Sequence, residues 1–255
     1  MRFKDIRSLR MYDDLAYLWP LISPPADYEE EASFWIAALR SKLGPGRHHL
    51  LELGVGGGHN LSHLTAAFDA TAVDLSEEML KHSRQLNPDV EHLVGDMRSI
   101  RLNRKFDAVL IHDAIDYMLS LDDLRSTFRT AAAHLGPGGV FIVAPDYISE
   151  SFQDGVVHSH HADRNGLSLT YLETQFDPDP ADSTIESLMV YLIRKDGETT
   201  VELDRHVIGL FPQTTWIGEL TAAGFNVEVM PLDDVPGPQN RNLFVCSRTS
   251  LNEST

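Results

Sequence analysis

The 255-residue sequence predicts an α/β fold with a largely parallel sheet and an antiparallel β-layer inserted late in the chain. Two observations carry this reading. Through the first 145 residues, short apolar runs alternate with segments of helical period, as in strands joined by crossover helices. After Asp146 that alternation stops, and strand-like runs follow one another directly.

The elements can be read off in order. "EEEASFWIAAL" (29–39) has helical spacing with acids in its first turn, where the helix dipole favours them, and its acidic start reads as a solvated helix end. "HLLEL" is a short buried strand that runs into glycines. "LSHLTAAF" continues as a helix, "ATAVDL" is the second strand, and "SEEMLKHSRQL" opens with a serine cap and an acidic turn. "VEHLVGD" and "FDAVLIH" are strands three and four, followed by a helix over "LDDLRSTFRTAAAHL". "GPGG" then reads as a stop, and "VFIVAP" as strand five.

Residues 147 to 165 are polar, rich in histidine and without clear period. "LSLTYLETQF", "IESLMVYLIRK" and "TTVELDRHVI" alternate as antiparallel strands, with "KDGET" as the turn between the last two. "TTWIGELTAAGF" is a helix ending at Gly224. "NVEVMPL" and "RNLFVCSR" close the sheet, and the polar tail "SRTSLNEST" is expected to fray. Three parts are expected: 1–146 as N-terminal cap helices and a ligand-binding α/β core, 147–210 as an inserted lid or dimerisation layer, and 211–255 completing the core.

Composition narrows the function. With 21 Lys+Arg against 38 Asp+Glu the formal charge is -17, a field that repels nucleic acid and anionic membranes. No segment reads as a signal peptide or a membrane span. Cys246, the one cysteine, forms no internal disulfide, which fits a reducing compartment, and the cytoplasm is the expected location.

The chemistry begins at "LLELGVGGGHN" (50–60). Glycine is costly on folding, so four glycines in five positions imply a turn that needs bare backbone. A nucleotide-type ligand is the first hypothesis. The phosphate-binding P-loop fails because no Gly-Lys-Ser/Thr follows. The dinucleotide fingerprint fails because His59 stands where its third glycine belongs. What remains is Glu52-x-Gly54-x-Gly56-x-Gly58, whose buried acid suits a cationic ligand better than a pyrophosphate. Asp74 closes the second strand 20 residues after Gly54, the spacing at which an acid reaches ribose hydroxyls. Asp96 ends strand three, and His112 and Asp113 end strand four.

In that order, "LLELGVGGGHN", "AVDLSEEML", "VGDM", "FDAVLIHDAIDYM" and "HLGPGGVFIV" resemble the class I S-adenosylmethionine-dependent methyltransferases. The resemblance covers roughly residues 45 to 145. It implies a doubly wound, seven-stranded, mostly parallel Rossmann-like sheet whose last strand is antiparallel, and S-adenosylmethionine as cofactor. It implies that Glu52 and Gly54 contact the methionine portion, that Gly56 and Gly58 shape the loop, and that Asp74, followed by Leu75, binds the ribose. Asp96 would receive the adenine amino group, with Met97 bordering the ring.

The flanks "YDDLAYLW", "HDAIDYML" and "DRHVIGLF" resemble the branch containing glycine N-methyltransferase and the deoxyaminosugar N,N-dimethyltransferases. That branch implies an aromatic N-terminal segment over the cofactor, with Tyr12 and Trp19 at its methionyl end. This chain has Trp-Pro where many relatives have Tyr-Asp.

Methyl transfer is an in-line displacement in which positioning does most of the work, though a base helps if the acceptor arrives protonated. Candidate catalytic residues are His112, Asp113 and His206. His112 is either a base, a cofactor backbone contact or a pocket wall. Asp113 binds an acceptor amine or caps a helix, and His206 faces the pocket only if the inserted sheet forms its lid. Tyr117 reads more as core packing. In "HSHHADRN", His158 and His160 share one face if the segment is extended, with Asp163 nearby, but no four-ligand set completes, so a solvated or substrate-contacting loop and no metal are expected.

The expected activity is methylation of a small-molecule acceptor, on nitrogen in preference to oxygen. A non-catalytic sensor of the cofactor or its product is the rival; an NAD-dependent reductase is disfavoured by His59 and Glu52. No nucleic-acid or membrane partner is expected, and the inserted strands offer a homodimer contact.

Overall fold

The computed structural model describes residues 5–232 and 241–248; the tail expected to fray lies, beyond Arg248, outside them. Strands β1 (His48–Leu53), β2 (Phe68–Asp74), β3 (Glu91–Val94), β4 (Phe106–Ile111) and β5 (Leu135–Val143) form the parallel part of one sheet. Strands β6 (Val157–Arg164), β7 (Leu167–Phe176), β8 (Thr184–Lys195) and β9 (Glu198–Gly209) form a second sheet; β10 (Phe225–Pro231) and β11 (Asn242–Arg248) return to the first. Its order is β10-β11-β5-β4-β1-β2-β3, and β11 runs antiparallel to both neighbours. The fold is the seven-stranded, doubly wound Rossmann-like arrangement with an inserted antiparallel layer.

Because strand side chains alternate, each face of the sheet carries its own core. Leu51, Leu53, Val109, Ile111, Phe141 and Val143 share one cluster with Phe128 of α5 (Leu121–His134) and Trp216 of α6 (Gln213–Ala222). The short helix α1 spans Trp19–Ile22, ahead of α2 (Glu29–Leu43). Leu50, Ala108, Leu110, Val140 and Ile142 pack on the opposite side with Trp35 and Leu39 of α2. Helices α3 (His59–Leu64) and α4 (Glu77–Leu86) complete the winding. Burial of Leu- and Phe-sized side chains on both faces, at about 1.5–3 kcal/mol each, is the main driving force for this arrangement.

Several boundaries differ from the sequence reading for local reasons. The helix expected over 61–68 ends at Leu64, and Phe68 already opens β2, fully buried beside α2. "GPGG" is part of β5: α5 stops at His134, Leu135 pairs with Phe106, and the ladder shifts register across the glycines before resuming at Val140. The segment "HSHHADRN" is not an irregular loop but most of edge strand β6, paired in continuous register with β7 from Val157 to Arg164. Its mostly exposed side chains gave it no apolar period to read. The "KDGET" turn behaves as expected, with Asp196 and Gly197 both at positive φ (53° and 83°), the twist a two-residue hairpin favours.

The N-terminal segment does not pack on the core alone. Met11, Leu15, Leu18 and Leu21 form a third apolar cluster with Leu169, Tyr171, Tyr191 and Ile193 of the inserted sheet. Polar contacts pin the same junction. Arg10 reaches Glu202 at 2.7 Å, and the Met11 amide donates to Asp204 at 2.7 Å. These contacts place β9 and the N-terminal turns together over the carboxyl edge of the parallel strands.

Candidate active site

A cavity of about 600 Å³ opens at that edge, where open α/β sheets bind their ligands. Its floor is the glycine loop after β1. Gly54 has φ 80°, and a Cβ there would collide with Ala114 and the Met97 methyl group. Gly58 (φ 73°) opens α3, and a Cβ would strike Ser83 and Asn87 of the neighbouring helix turn. The bare backbone therefore serves packing as well as ligand approach: the loop is pressed against β4's exit and α4 at once. Trp19 sits over Gly57 in the same way and stacks on His59 with ring centroids 5.9 Å apart.

The residues expected to hold a cofactor come together here. Tyr12, Trp19, Glu52, Gly54, Gly56, Asp74, Leu75, Asp96, Met97 and His112 all line the cavity; Gly58 is not among the lining residues. Asp74 accepts the Gly56 and Ser76 amides at 2.7 and 2.8 Å, so loop and second strand end are tied together. Burial raises its carboxyl above the usual value despite these bonds. Asp96 is held by Arg98, which also bridges to Asp123 at 3.0 Å. Burial pushes Glu52 up to about 8, with His112 pulling down and Asp113 and Asp74 pushing up.

Several buried polar atoms on this wall lack a partner. Glu52 Oε2, Trp19 Nε1 and both amide atoms of Asn60 make no hydrogen bond among the described residues. Such atoms cost about 1–3 kcal/mol each if left unmet. One bare carboxylate oxygen beside bare N–H donors is the set that a zwitterionic amino-acid group satisfies, so the site fits the methionyl end of S-adenosylmethionine. Asn60 escaped the sequence reading, and His59 entered it only as a departure from the dinucleotide fingerprint; their place directly after the last loop glycine was the available signal.

The end of the cavity beside the exit of β4 is electrostatically dense. His112 donates from Nε2 to Glu31 at 3.1 Å, and its Nδ1 lies 3.4 Å from Asp113. Burial works against its charge, yet Asp113, Glu31 and Asp146 outweigh it and hold the imidazole up at about 10. His112 is thus a buried cation near neutral pH and is not poised as a base. Its partner corrects the reading of the acidic run in α2. Glu29 and Glu30 are exposed, but Glu31 is 5% exposed and also binds Arg241 at 3.1 Å. Arg241 in turn contacts Asp146 at 3.2 Å.

Asp113 is half-exposed on the cavity wall. The turn Asp113–Tyr117 has no side-chain cap, so the capping role is not realised. Tyr117 is not simply core. Tyr117 lines the cavity, and its hydroxyl meets the Tyr12 hydroxyl at 2.8 Å and lies 2.7 Å from His206 Nδ1. His206 itself does not face the cavity; it is 1% exposed and donates from Nε2 to Asp204 at 2.9 Å. Its neighbour Val207 is the residue of β9 on the wall. In β6, His160 bonds the Leu21 carbonyl and His161 bonds Asp163, and no described group of three His, Cys, Asp or Glu could hold a metal ion.

Comparison with known proteins agrees with this geometry. Residues 50–139 match the methyltransferase domain family. The chain is 34% identical over 223 residues to dTDP-3-amino-3,4,6-trideoxy-alpha-D-glucopyranose N,N-dimethyltransferase of Streptomyces venezuelae, covering 86% of this chain and 90% of that one. It is 31% identical over 235 residues to dTDP-3-amino-3,6-dideoxy-alpha-D-glucopyranose N,N-dimethyltransferase of Streptomyces fradiae, covering 91% and 89%. The crystal structure of Streptomyces venezuelae DesVI superposes with a TM-score of 0.79 at 31% identity, over 98% of this chain and 99% of that chain.

This chain belongs to the class I S-adenosylmethionine-dependent methyltransferases, in the deoxyaminosugar N,N-dimethyltransferase branch. As a methyltransferase of this branch it uses S-adenosylmethionine. No helix among the described residues is long and apolar enough to cross a membrane.

Proposed function

We propose that this methyltransferase methylates the amine nitrogen of a small carbohydrate-like acceptor, and that Tyr12, Tyr117, His206 and Asp204 carry the proton that the amine must lose. The observation behind the proposal is the unbroken hydrogen-bond chain that starts at two phenols on the cavity wall and ends at a buried carboxylate. The relatives' names describe N,N-dimethylation of dTDP-linked amino sugars, which supports nitrogen as the methylated atom.

When bound, S-adenosylmethionine supplies an electrophilic methyl group on its sulfonium. Glu52, Asn60 and Trp19 would hold its methionyl end, Asp74 and Leu75 its ribose, and Asp96 with Met97 its adenine. An amine that arrives as an ammonium has no lone pair until a proton leaves. Burial raises both phenols, Tyr12 and Tyr117, so neither ionises by itself and each acts as a conduit. Because Asp204 only accepts, His206 Nε2 carries the proton and Nδ1 is free to accept from Tyr117. As Tyr117 passes its proton to His206, its oxygen takes the proton of the amine directly or through Tyr12. Asp204, fixed by the Met11 amide, then faces the imidazolium. His206 is thereby a positioning and relay residue, and Asp113 an anchor for acceptor charge. His112, already protonated, orients Glu31 and Asp113.

We further infer that residues 1–146 and 211–255 make the cofactor core and that 147–210 is a lid whose exposed edge could pair with a second copy. A cytoplasmic location and the absence of a nucleic-acid partner rest on the charge of -17 and the single cysteine. The test is isothermal titration with S-adenosylhomocysteine, followed by incubation of an amino-sugar panel with isotopically labelled donor. Label on nitrogen is expected. Absence of binding heat rejects the cofactor site, whereas binding without turnover of any amine leaves a sensor.

A further inference from the structure

We propose that Ser76 is a positioning residue for methyl transfer: its hydroxyl ties the strand end assigned to the cofactor's ribose to Tyr12, one of the two phenols at which the proton path starts. This rests on the relay reading above and adds the link that sets the relay's place relative to the cofactor.

Ser76 lies on the cavity wall two residues after Asp74, as the N-cap of α4. Three bonds meet at it. Its amide donates to Asp74 Oδ1 at 2.8 Å, its hydroxyl oxygen accepts the Met79 amide at 3.1 Å, and its hydroxyl proton goes to the Tyr12 carbonyl at 2.5 Å. Asp74 gives its other oxygen to the Gly56 amide at 2.7 Å. Glycine loop, ribose acid, α4 and N-terminal turn are thus joined through one carboxylate and one serine.

A helix cap accounts for only part of this set. Capping needs an oxygen that accepts an amide, so aspartate would serve as well and glycine would cost little. The bond to Tyr12 needs a donor, which a hydroxyl supplies from the same atom. Tyr12 is held from three directions. Ser76 fixes its carbonyl, the Met11 amide one residue back donates to Asp204 at 2.7 Å, and its own hydroxyl meets Tyr117 at 2.8 Å. In-line displacement depends on the placement of nucleophile against methyl group, and a shift near 1 Å costs about 10²-fold. The methyl group is placed by the cofactor subsites at Asp74 and the glycine loop; the nitrogen is placed by the groups that face its proton. Ser76 joins these two frames. Losing its proton frees Tyr12 from the cofactor edge while the cap and the Asp74 bonds stay.

Ser76→Gly lacks the donated proton and nearly spares the cap, whereas Ser76→Thr keeps the hydroxyl. Each full-length variant is melted, titrated calorimetrically with S-adenosylhomocysteine, and assayed with labelled donor and the amino sugar that the panel above identifies as acceptor. Ser76→Gly is expected to melt and to bind S-adenosylhomocysteine close to wild type, and to lose about tenfold or more in kcat at saturating cofactor. Ser76→Thr is expected to recover most of that rate. On a Tyr12→Phe background, Ser76→Gly should cost no further rate, because the phenol it positions is gone. If Ser76→Gly fails to fold, Ser76→Asp, whose carboxylate caps α4, is read in its place.

Full kcat in Ser76→Gly, no recovery in Ser76→Thr, or losses that multiply with Tyr12→Phe overturns the proposal and leaves the relay standing. So does a fall in S-adenosylhomocysteine affinity as large as the fall in kcat, since Ser76 then serves the ribose site alone. A full-rate Tyr12→Phe enzyme removes Tyr12 from the proton path and this inference with it, whereas the relay from Tyr117 is judged by Tyr117→Phe. A panel in which no amine receives label overturns the N-methylation reading and this inference together.

Discussion

The Tyr117 hydroxyl lies 2.7 Å from His206 Nδ1, and through the His206–Asp204 bond this contact joins a residue of the cavity wall to a carboxylate with no exposed surface. Proton transfer through such a chain contributes about 10²-fold or more to rate. Tyr117→Phe should lower kcat by about that factor and shift the alkaline limb of the pH–rate profile, with cofactor affinity unchanged. His206→Asn should do the same. A full-rate Tyr117→Phe enzyme removes the relay from the mechanism.

Cofactor binding should depend on pH through Glu52. In the free protein its carboxyl titrates at about 8, well above the ordinary value near 4.5. A cationic ligand prefers the ionised form, so affinity rises as pH climbs toward about 8 and levels above it, by at most about tenfold per unit. The same shift has the opposite sign for the apoprotein, whose stability falls as pH rises from about 4.5 through about 8. Glu52→Gln should therefore flatten the affinity profile, weaken binding at pH 9 by about tenfold or more, and raise the apoprotein's Tm there. Titration and melting curves from pH 6 to 9 check both halves.

The His112 ion pair gives a second pH signature. The folded imidazole is held up at about 10, against 6.5 unfolded, so its stabilisation is complete below about 6.5 and is lost as pH rises through about 10. Glu31, where burial pushes upward but His112 and Arg241 prevail, sits below its ordinary value and contributes only above about 4.5. Removing the cation with His112→Asn leaves Glu31 facing Arg241 alone and should cost about 3 kcal/mol near pH 7, and much less at pH 10.5. Denaturant unfolding at the two pH values reads the difference.

Gly54→Ala tests the glycine loop. The added methyl would press into Ala114 at a backbone angle that side chains rarely adopt. A stability loss of about 1–3 kcal/mol is expected, together with loss of S-adenosylhomocysteine binding. Retained binding with the stability loss would show that the loop's glycines serve packing alone. Ser76→Ala should be milder, about 1 kcal/mol, since Ser76 both caps α4 by accepting the Met79 amide and donates its hydroxyl to the Tyr12 carbonyl.

The sequence carried the parallel sheet and the cofactor edge because both are written locally. Period distinguishes strand from helix, and Glu52, the loop glycines, Asp74 and Asp96 fall at successive strand ends, which the topology must gather on one rim. Edge strand β6 was illegible because its polar, exposed residues have no apolar period, and its pairing with β7 is a tertiary fact.

The sequence by itself determined the α/β class, the antiparallel insertion and the cofactor. Only the tertiary structure decided which polar groups meet. Glu31 and His112 stand 81 positions apart, Tyr117 and His206 stand 89, and Met11 and Asp204 stand 193. Whether an acid is a solvated helix end or half of a buried ion pair, and whether a histidine is a base or a fixed cation, depends on burial and on the charges brought within a few ångström. Those distances exist only once the sheet, the N-terminal turns and the inserted layer have closed on one another.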